Sequence, residues 1–319
     1  MLKKKPKYVS FDNNLHLTAL FGEQDCNLLK IEEKLGVSIT SRGNMIFISG
    51  DNEKVTQAEH ILESLYHKLE QGMEVGMSEV EAALRMVSNS TNEKKKVKNT
   101  LFEQEIVVKT AKKQIVPHSN TQKQYIKALY KKDLVFANGP AGTGKTYLAV
   151  AVGVSMFLNH KVERIILVRP AVEAGEKIGF LPGDMKEKVD PYMQPLYDAL
   201  YDMFPAEKVQ KYIENRVIEI APLAFMRGRT LKDAFVILDE AQNATPTQMK
   251  MFLTRLGENS RMVVNGDLSQ IDLPPHSKSG LDDALNKLRN IDEIGYVQFG
   301  EEDIVRHNLV AKIVHAYKE

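Results

Sequence analysis

A Gly-rich stretch in the middle of the chain has the spacing of a phosphate-binding loop. Its residues, Gly139-Pro140-Ala141-Gly142-Thr143-Gly144-Lys145-Thr146, match the pattern G-x-x-x-x-G-K-[ST] at every fixed position. The glycines let backbone N–H groups approach phosphate oxygens, and the helix that follows adds its positive end at the same point. We expect Lys145 to contact the β and γ oxygens and the hydroxyl of Thr146 to bind Mg²⁺. The stretch therefore predicts a nucleoside triphosphate site.

Two adjacent carboxylates follow an apolar run further along the chain, in VILDEAQ (236–242). We expect Asp239 to hold Mg²⁺, directly or through water, and Glu240 to orient and deprotonate the attacking water. Neighbouring side chains on a strand point to opposite faces, but a turn just past the strand end lets both reach one site. Alone, such a pair would favour a solvated strand end. Downstream of a phosphate loop, it favours water activation, and hence an ATPase over a metabolite kinase.

A third polar segment reads VVNGDLSQIDLP (263–274). Gln270 lies after a tight Asn-Gly-Asp turn, where its amide can contact the γ-phosphate or the attacking water and respond to loss of the phosphate. A polar loop residue without such a role is the alternative. We include Gln270 among the candidate catalytic residues, with Lys145, Asp239 and Glu240.

Four short apolar runs would position these groups. They are LVFAN (134–138), IILVRP (165–170), AFVILDE (234–240) and RMVVNGD (261–267). Each is apolar nearly throughout, as is typical of parallel strands that are buried on both faces. Segments with helical spacing lie between them, for example 146–160 and 245–256. The pattern predicts an α/β fold, with the ligand at the carboxyl ends of the strands.

Composition divides the 319 residues into three regions. Residues 1–87 predict a small α+β domain, 88–116 a lysine-rich linker, and 117–319 the ATPase domain. The single cysteine, Cys26, excludes a disulfide within one chain and fits a reducing compartment. The N-terminus lacks the apolar segment of a secretory signal, and no apolar run approaches the roughly 18 residues that span a bilayer. We therefore expect a cytoplasmic protein without a membrane partner.

The N-terminal region predicts a helix that ends at Gly36, then a hairpin around SRGN (41–44), then a second amphipathic helix. This order resembles a KH-type RNA-binding module, whose G-x-x-G loop clamps the nucleic-acid backbone. The corresponding loop runs from Gly22 to Asp25, so its second glycine is replaced and two acids would repel phosphate. A domain that docks a partner or packs on the ATPase is the alternative. Arg42 and the lysines of 94–98 are candidates for non-specific phosphate contacts.

The order of the motifs resembles that of superfamily 1 helicase-like P-loop ATPases, in which LDEAQ precedes a GDxxQ element, here 266–270. The segment 168–200, FMRGRTL (225–231) and the acidic motif narrow the resemblance to bacterial PhoH-family ATPases, from about Pro117 to the C-terminus. The resemblance implies a RecA-type parallel sheet, ATP and Mg²⁺ as ligands, and an RNA-linked role. For the branch with this N-terminal domain it implies an endoribonuclease partner and ribosomal RNA maturation.

Two further residues are assigned through the resemblance. Arg306, in EEDIVRHNLVAKIV (301–314), lies in an Arg-His segment of the family and is expected to stabilise transition-state charge, within the chain or across a subunit boundary. An ion pair with Glu302 on a helix surface is the alternative. Gln122, three residues before Tyr125 as in the family pattern, is expected to bind the adenine edge, because an amide both donates and accepts. The alternative is a merely polar surface residue.

Other charged positions stay open at this stage. Arg227 and Arg229 precede the acidic strand and are either phosphate contacts or solvated loop charges. Arg169 ends a strand at the nucleotide edge of the sheet, and the insert after it predicts helices that serve packing, subunit contact or nucleic-acid contact.

Only about 50 residues follow Asp267, too few for the second motor domain that a monomeric helicase needs. We therefore expect a homo-oligomer, such as a ring around RNA. Two functions are open, an oligomeric ATPase that remodels RNA and a nucleotide-switched adaptor that recruits a nuclease.

Overall fold

The computed structural model describes residues 7–90, 106–170, 185–274 and 276–305, with no side-chain description for 88–90 and 185–191. The chain divides between residues 105 and 106 into two compact units. Among the described residues, no helix combines the length and the apolar character that crossing a membrane requires.

The first unit is a three-stranded antiparallel sheet with helices. In chain order its elements are β1 (Lys7–Ser10), α1 (Asn14–Phe21), α2 (Cys26–Leu35), β2 (Ser38–Arg42), β3 (Met45–Ser49), α3 (Asn52–Glu70) and α4 (Met77–Ser90). The sheet order is β1-β3-β2. Gly36 ends α2 with φ 64°, and Arg42 pairs with Met45 across the hairpin, so the predicted helix end and hairpin are confirmed.

The loop between α1 and α2 is the segment compared above with a G-x-x-G loop. Gly22 has φ 75°, and residues Glu23–Asp25 form a short 3-10 turn. Asp25 has φ 59° and ψ 23°, in the left-handed region that favours glycine. The position therefore keeps the backbone conformation of a glycine while it carries a carboxylate. The KH-type assignment and RNA binding by this loop stay predictions.

The second unit is built on a six-stranded sheet. Its strands are β6 (Leu134–Asn138), β7 (Arg164–Arg169), β8 (Ile218–Pro222), β9 (Ala234–Leu238), β10 (Arg261–Gly266) and β11 (Ile294–Gln298), and its helices are α5 (Asn120–Lys131), α6 (Lys145–Leu158), α7 (Met185–Met203), α8 (Ala206–Glu214), α9 (Pro246–Leu253) and α10 (Gly280–Leu288). The order is β11-β6-β10-β9-β7-β8, and every pairing is parallel. The predicted α/β class is confirmed, with β10 between the phosphate-loop strand and the acidic strand.

The central strands divide their side chains between two cores, one on each face of the sheet. On β9, Phe235 and Ile237 face the core that contains α6 and α7, whereas Val236 and Leu238 face the core that contains α9. All five residues of β9 are buried, which explains why its sequence is an unbroken apolar run. The four predicted strands are confirmed within two residues of their observed ends.

Helix α6 lies unusually close to the sheet at Gly153. A Cβ atom at this position would lie 2.8 Å from Cδ1 of Phe235 on β9. Glycine permits this approach, and ten of the helix residues are buried. Because α6 begins at Lys145, its docking against β9 fixes the distance between the phosphate loop and the acidic strand.

The predicted linker of 88–116 is too long at both ends. Helix α4 continues to Ser90, and 106–116 belongs to the second unit. There, β4 (Val108–Lys109) and β5 (Gln114–Ile115) form an antiparallel hairpin. Val108 and Ile115 are buried in the core that contains α6, because the apolar residues of this lysine-rich stretch face inward.

Candidate nucleotide site

The phosphate loop joins β6 to α6 at the carboxyl edge of the sheet. Gly142 and Gly144 have φ values of 84° and 80°, which residues with a Cβ rarely adopt. At Gly139, a Cβ would lie 2.6 Å from the Cβ and carbonyl oxygen of Phe299, just after β11. The Gly spacing in the sequence therefore reflects both backbone conformation and a close approach of the segment that follows β11.

Lys145 is folded over the loop. Its Nζ donates to the carbonyl oxygens of Gly139 at 2.7 Å and Pro140 at 2.9 Å, and lies 3.3 Å from Oγ1 of Thr143. Burial lowers the pKa of the Lys145 ammonium, although nearby carboxylates, Asp267 foremost, oppose that shift. Phosphate oxygens would offer this ammonium stronger, charge-assisted acceptors than the carbonyls do.

Thr146 and Asp239 meet between α6 and β9. The Thr146 hydroxyl donates to Oδ1 of Asp239 at 2.5 Å, and the Asp239 N–H donates to the carbonyl oxygen of Val168 at 2.8 Å. Burial raises the pKa of the Asp239 carboxyl, while Arg169 and the Thr146 hydroxyl oppose the rise. Mg²⁺ prefers oxygen ligands and is commonly held by one carboxylate together with substrate phosphates. A hydroxyl and a carboxylate in contact therefore fit the predicted metal.

Glu240 turns back toward the same edge. Its backbone is left-handed, with φ 52° and ψ 39°, directly beyond the end of β9. This conformation breaks the strand alternation, as the sequence predicted, and both acids line one cleft. Its Oε1 accepts from Nη2 of Arg169 at 2.9 Å, and its Oε2 accepts from Nε2 of Gln242 at 2.6 Å.

Gln270 belongs to a network that links all three motifs. Its Nε2 donates to Oδ2 of Asp267 at 3.0 Å, and the same oxygen accepts from the Ala141 N–H at 3.1 Å. Gln242 donates to the Gln270 carbonyl at 3.1 Å and accepts from the Asp267 N–H at 3.0 Å. Gln242 thus connects Glu240 to the third motif, and the Asp267 carboxylate connects that motif to the phosphate loop.

These groups enclose a cleft of about 260 Å³. Its lining residues come from the phosphate loop and its helix, the acidic loop and the third motif: Ala141, Gly142, Gly144, Lys145, Thr146, Tyr147, Asp239, Glu240, Gly266, Asp267 and Gln270. Beside it, the Tyr147 hydroxyl donates to Oδ2 of Asp202 on α7 at 2.7 Å, and Lys113 pairs with the same carboxylate.

Gln122 lies beneath the phosphate loop. Its Oε1 accepts from the His118 N–H at 2.6 Å, and its Nε2 donates to the Thr143 carbonyl at 3.0 Å. The side chain is buried, and a Cβ on Gly144 would lie 3.3 Å from its Nε2. In this arrangement Gln122 stabilises the phosphate loop through its hydrogen bond to Thr143. Adenine binding by its amide stays a prediction, because the amide would have to exchange the His118 N–H and the Thr143 carbonyl for the base.

The other arginines considered from the sequence either do not line this cleft or lie outside the residues that the structure describes. Arg306 and His307 lie outside the described residues. The N–H of Val305, which precedes Arg306, donates to the Gly142 carbonyl at 2.9 Å. Arg229 makes two hydrogen bonds to the Glu219 carboxylate on β8, so its guanidinium is paired rather than a solvated loop charge, and a phosphate contact stays a prediction. Arg227 is exposed.

Sequence reasoning assigned no role to Arg169, Gln242 or Asp267, which hold the predicted residues in place. Arg169 contacts both acids because β7 neighbours β9 in the sheet. The sequence indicates that Arg169 lies at a strand end, but only the strand order shows that this end is next to the acidic loop. Gln242 and Asp267 lie inside the motifs, and their hydrogen bonds depend on turns that the sequence pattern does not specify.

Comparison with known proteins gives close relatives. Residues 114–318 match the family described as PhoH-like protein. A PhoH-like protein of Bacillus subtilis (strain 168) is 50% identical over 299 residues, which cover 94% of this chain and 93% of that protein. A PhoH-like protein of Mycobacterium tuberculosis (strain ATCC 25618 / H37Rv) is 46% identical over 301 residues, or 94% and 84% of the two chains.

Protein PhoH of Escherichia coli (strain K12) is 48% identical over 205 residues, which cover 64% of this chain and 58% of that protein. Among solved structures, the Pif1 helicase from Candida albicans has a TM-score of 0.34 at 13% identity, covering 64% of this chain and 44% of that one. The structural likeness is too low to bear on function, whereas the relatives from Bacillus subtilis and Mycobacterium tuberculosis match 94% of this chain.

Proposed function

The chain belongs to the PhoH-like protein family, and from this premise we propose that it is a cytoplasmic, Mg²⁺-dependent ATPase that acts in RNA metabolism. Its parallel sheet and phosphate loop are those of an α/β P-loop NTPase. ATP hydrolysis and the RNA role are the proposed parts. Ribosomal RNA maturation is the setting that the resemblance to the family suggests.

One observation carries the ATPase proposal, namely the convergence of Thr146, Asp239 and Glu240 beside the phosphate loop. The hydroxyl of Thr146 lies 2.5 Å from the Asp239 carboxylate, and Glu240 lines the same cleft. Metal ligation and water activation need oxygen ligands and a base within reach of the γ-phosphate. This edge of the sheet supplies both.

In the proposed reaction, Lys145 exchanges its carbonyl acceptors for the β and γ oxygens. Thr146 and Asp239 would hold Mg²⁺, which neutralises charge on those oxygens when bound. Glu240 accepts a proton from water as the water oxygen attacks the γ-phosphorus. The bond from that phosphorus to the bridging oxygen breaks, and ADP and phosphate leave. Gln270 would respond to loss of the γ-phosphate, and its hydrogen bond to Asp267, which contacts the phosphate loop, supports this role.

Two site assignments complete the proposal. Arg306 would add positive charge to the transition state. Val305, the residue before it, donates its N–H to the Gly142 carbonyl of the phosphate loop. Mixing inactive Arg306→Ala and Glu240→Gln subunits tests whether it acts in trans, because only a trans arginine lets the mixture recover activity. Gln122 would bind adenine after release of the Thr143 carbonyl.

The RNA role is supported by the first unit as well as by the resemblance. Its elements follow the order βααββαα, and they include the helix, the hairpin and the second helix (α2, β2, β3 and α3) on which the KH-type prediction depends. KH modules bind single-stranded RNA. A ring-like homo-oligomer would let neighbouring subunits enclose RNA, and light scattering with and without ATP tests it. A monomer under both conditions would exclude the ring.

A nucleotide-switched adaptor that recruits an endoribonuclease is the second candidate function. It is favoured by the contacts of Glu240, whose two oxygens accept from Arg169 and Gln242. A base held in this way suits slow hydrolysis, which would serve as a timer. RNA-stimulated hydrolysis supports the remodelling ATPase, whereas stimulation only by a protein partner supports the adaptor.

The direct test is phosphate release by the purified full chain with ATP and Mg²⁺, across a panel of RNAs. We expect hydrolysis that stops when the metal is chelated and that is absent in Lys145→Ala. Hydrolysis that persists in Lys145→Ala would come from a contaminant or another site. Absence of both binding and hydrolysis in the wild type would refute the proposal.

A further inference from the structure

Arg169 joins the acidic loop to a helix on the other side of the site. Its Nη2 lies 2.9 Å from Oε1 of Glu240 and 3.2 Å from Oδ2 of Asp239. Its Nη1 donates to the backbone carbonyl of Tyr192 in α7 at 2.6 Å. A guanidinium can hold these partners together because its donors form a rigid planar fork.

These contacts engage both carboxylate oxygens of Glu240. A general base must point an oxygen at the water whose proton it accepts, within hydrogen-bond reach. Here one oxygen is directed at Arg169 and the other at Gln242. The left-handed backbone at Glu240 holds the carboxylate in the same cleft, so only the side-chain partners have to change.

The guanidinium is itself incompletely satisfied in this position. Its Nε is buried and has no hydrogen-bond partner among the described residues. A buried donor without an acceptor costs free energy, so placements of Arg169 that supply one compete with this placement. The contact with Glu240 is therefore exchangeable.

Helix α7 is the element to which Arg169 is tied. A cleft of about 550 Å³ lies between this helix and the catalytic edge. Pro195, Asp198, Ala199 and Asp202 line it from α7, and Arg169, Asp239 and Glu240 line it together with Thr146 and Tyr147. The cleft separates this part of α7 from the acids, and a displacement of the helix would act on the carbonyl of Tyr192.

We propose that Arg169 is a latch that holds Glu240 away from the attacking water, and that displacement of α7 opens it. While the guanidinium binds the Tyr192 carbonyl and Glu240 together, hydrolysis is slow. When α7 moves, Arg169 releases Glu240. The inference rests on the proposed ATPase function and adds a means of regulating it. Arg169 acts through Glu240 and is thus a positioning residue.

Steady-state hydrolysis without RNA or partner, with kcat and KM measured separately, tests the latch. Arg169→Gln should raise kcat about tenfold, the scale of losing one charge-assisted hydrogen bond, while any weaker Mg²⁺ binding by Asp239 should appear in KM. Arg164→Gln is the matched control, because Arg164 lies at the opposite end of β7 and donates to the Lys232 carbonyl. Its kcat should stay at the wild-type value.

Arg169→Lys is the second variant, for the case that Arg169→Gln does not fold. It keeps the charge beside buried Asp239 but lacks the fork, so we expect a smaller rise in kcat. A fall in kcat in either variant would make Arg169 a transition-state contact and overturn the latch, as would an unchanged kcat. Wild-type protein that does not bind Mg²⁺ and ATP would overturn the proposed function itself.

The coupling to α7 has its own readout. The chain contains no tryptophan, so Tyr192→Trp introduces a single reporter into α7. With Mg²⁺ and a non-hydrolysable ATP analogue bound, an RNA that stimulates hydrolysis should shift its emission, and adding Arg169→Gln should give the shifted emission without RNA. Emission that does not respond to such an RNA, or that is unchanged by loss of Arg169, would contradict the link between the latch and the helix.

Discussion

Replacement of Glu240 by glutamine separates binding from hydrolysis. The amide keeps the size of the side chain and removes the proton-accepting charge. In the structure this carboxylate contacts Arg169 and Gln242, and its side chain is 41% exposed. Because none of its contacts is to the phosphate loop, we expect Glu240→Gln to bind ATP and Mg²⁺ with nearly unchanged affinity.

The two expected effects differ greatly in size. Removing a general base lowers a rate by about 10²–10⁴-fold, which corresponds to roughly 3–5 kcal/mol of barrier height. Loss of the partly exposed pair with Arg169 should change the free energy of unfolding by no more than about 1 kcal/mol. A destabilisation of that size leaves a normal domain folded, so it cannot account for the loss of rate.

The assay compares phosphate release, nucleotide binding by calorimetry and thermal unfolding for three proteins. They are the wild type, Glu240→Gln and the control Glu219→Gln. Glu219 is also paired with an arginine, Arg229, and lies on β8 away from the cleft. The control should lose a comparable amount of stability and keep its kcat. A Glu240→Gln protein that hydrolyses ATP at the wild-type rate would refute the role of Glu240.

Three other predictions test the site and its support. Thr146→Ala should weaken Mg²⁺-dependent ATP binding about tenfold in calorimetry, and Thr146→Ser should restore it; unchanged affinity in the alanine variant would remove Thr146 from the metal site. Gly153→Ala should lower the free energy of unfolding by about 1–3 kcal/mol in denaturant titration, because its Cβ would lie 2.8 Å from Phe235, despite the better helix propensity of alanine; a stabilised variant would contradict the close packing of α6. Partial burial alone would raise the pKa of Asp202, but hydrogen bonding, chiefly from Lys113, holds that pKa below its usual value. Its stabilising effect is therefore present above the ordinary aspartate pKa of about 3.9 and is lost as the pH falls through the lowered pKa, so the melting temperatures of wild type and Asp202→Asn should converge only in that acid range.

The buried strands could be predicted because burial on both faces leaves an unmistakable apolar run. β6, β7, β9 and β10 have this character, and their bounds agree with the sequence within two residues. β8 and β11 are edge strands that are only partly buried, so neither has the unbroken apolar run of the central strands. The hairpin of 108–115 was not predicted, because its few apolar residues lie among lysines and form no apolar run.

The positions of the candidate site residues could be predicted more fully than their hydrogen bonds. Lys145, Thr146, Asp239 and Glu240 lie where their motifs indicated, because phosphate loops and acidic strand ends have fixed relations in a parallel sheet. The latch residue Arg169 could not be assigned without the order β9-β7. The bond from Gln122 to Thr143 depends on helix α5 docking under the loop, a tertiary contact with no local sequence signal.

The central claim is that residues 139–146 hold a triphosphate whose terminal phosphate faces Asp239 and Glu240. A crystal structure of the full chain with Mg²⁺ and a non-hydrolysable ATP analogue tests it most directly. We predict that the phosphates lie along the loop, with the metal on Oγ1 of Thr146 and a water between Glu240 and the γ-phosphorus. An analogue bound elsewhere, or acids turned away by more than one bridging water, would contradict the account.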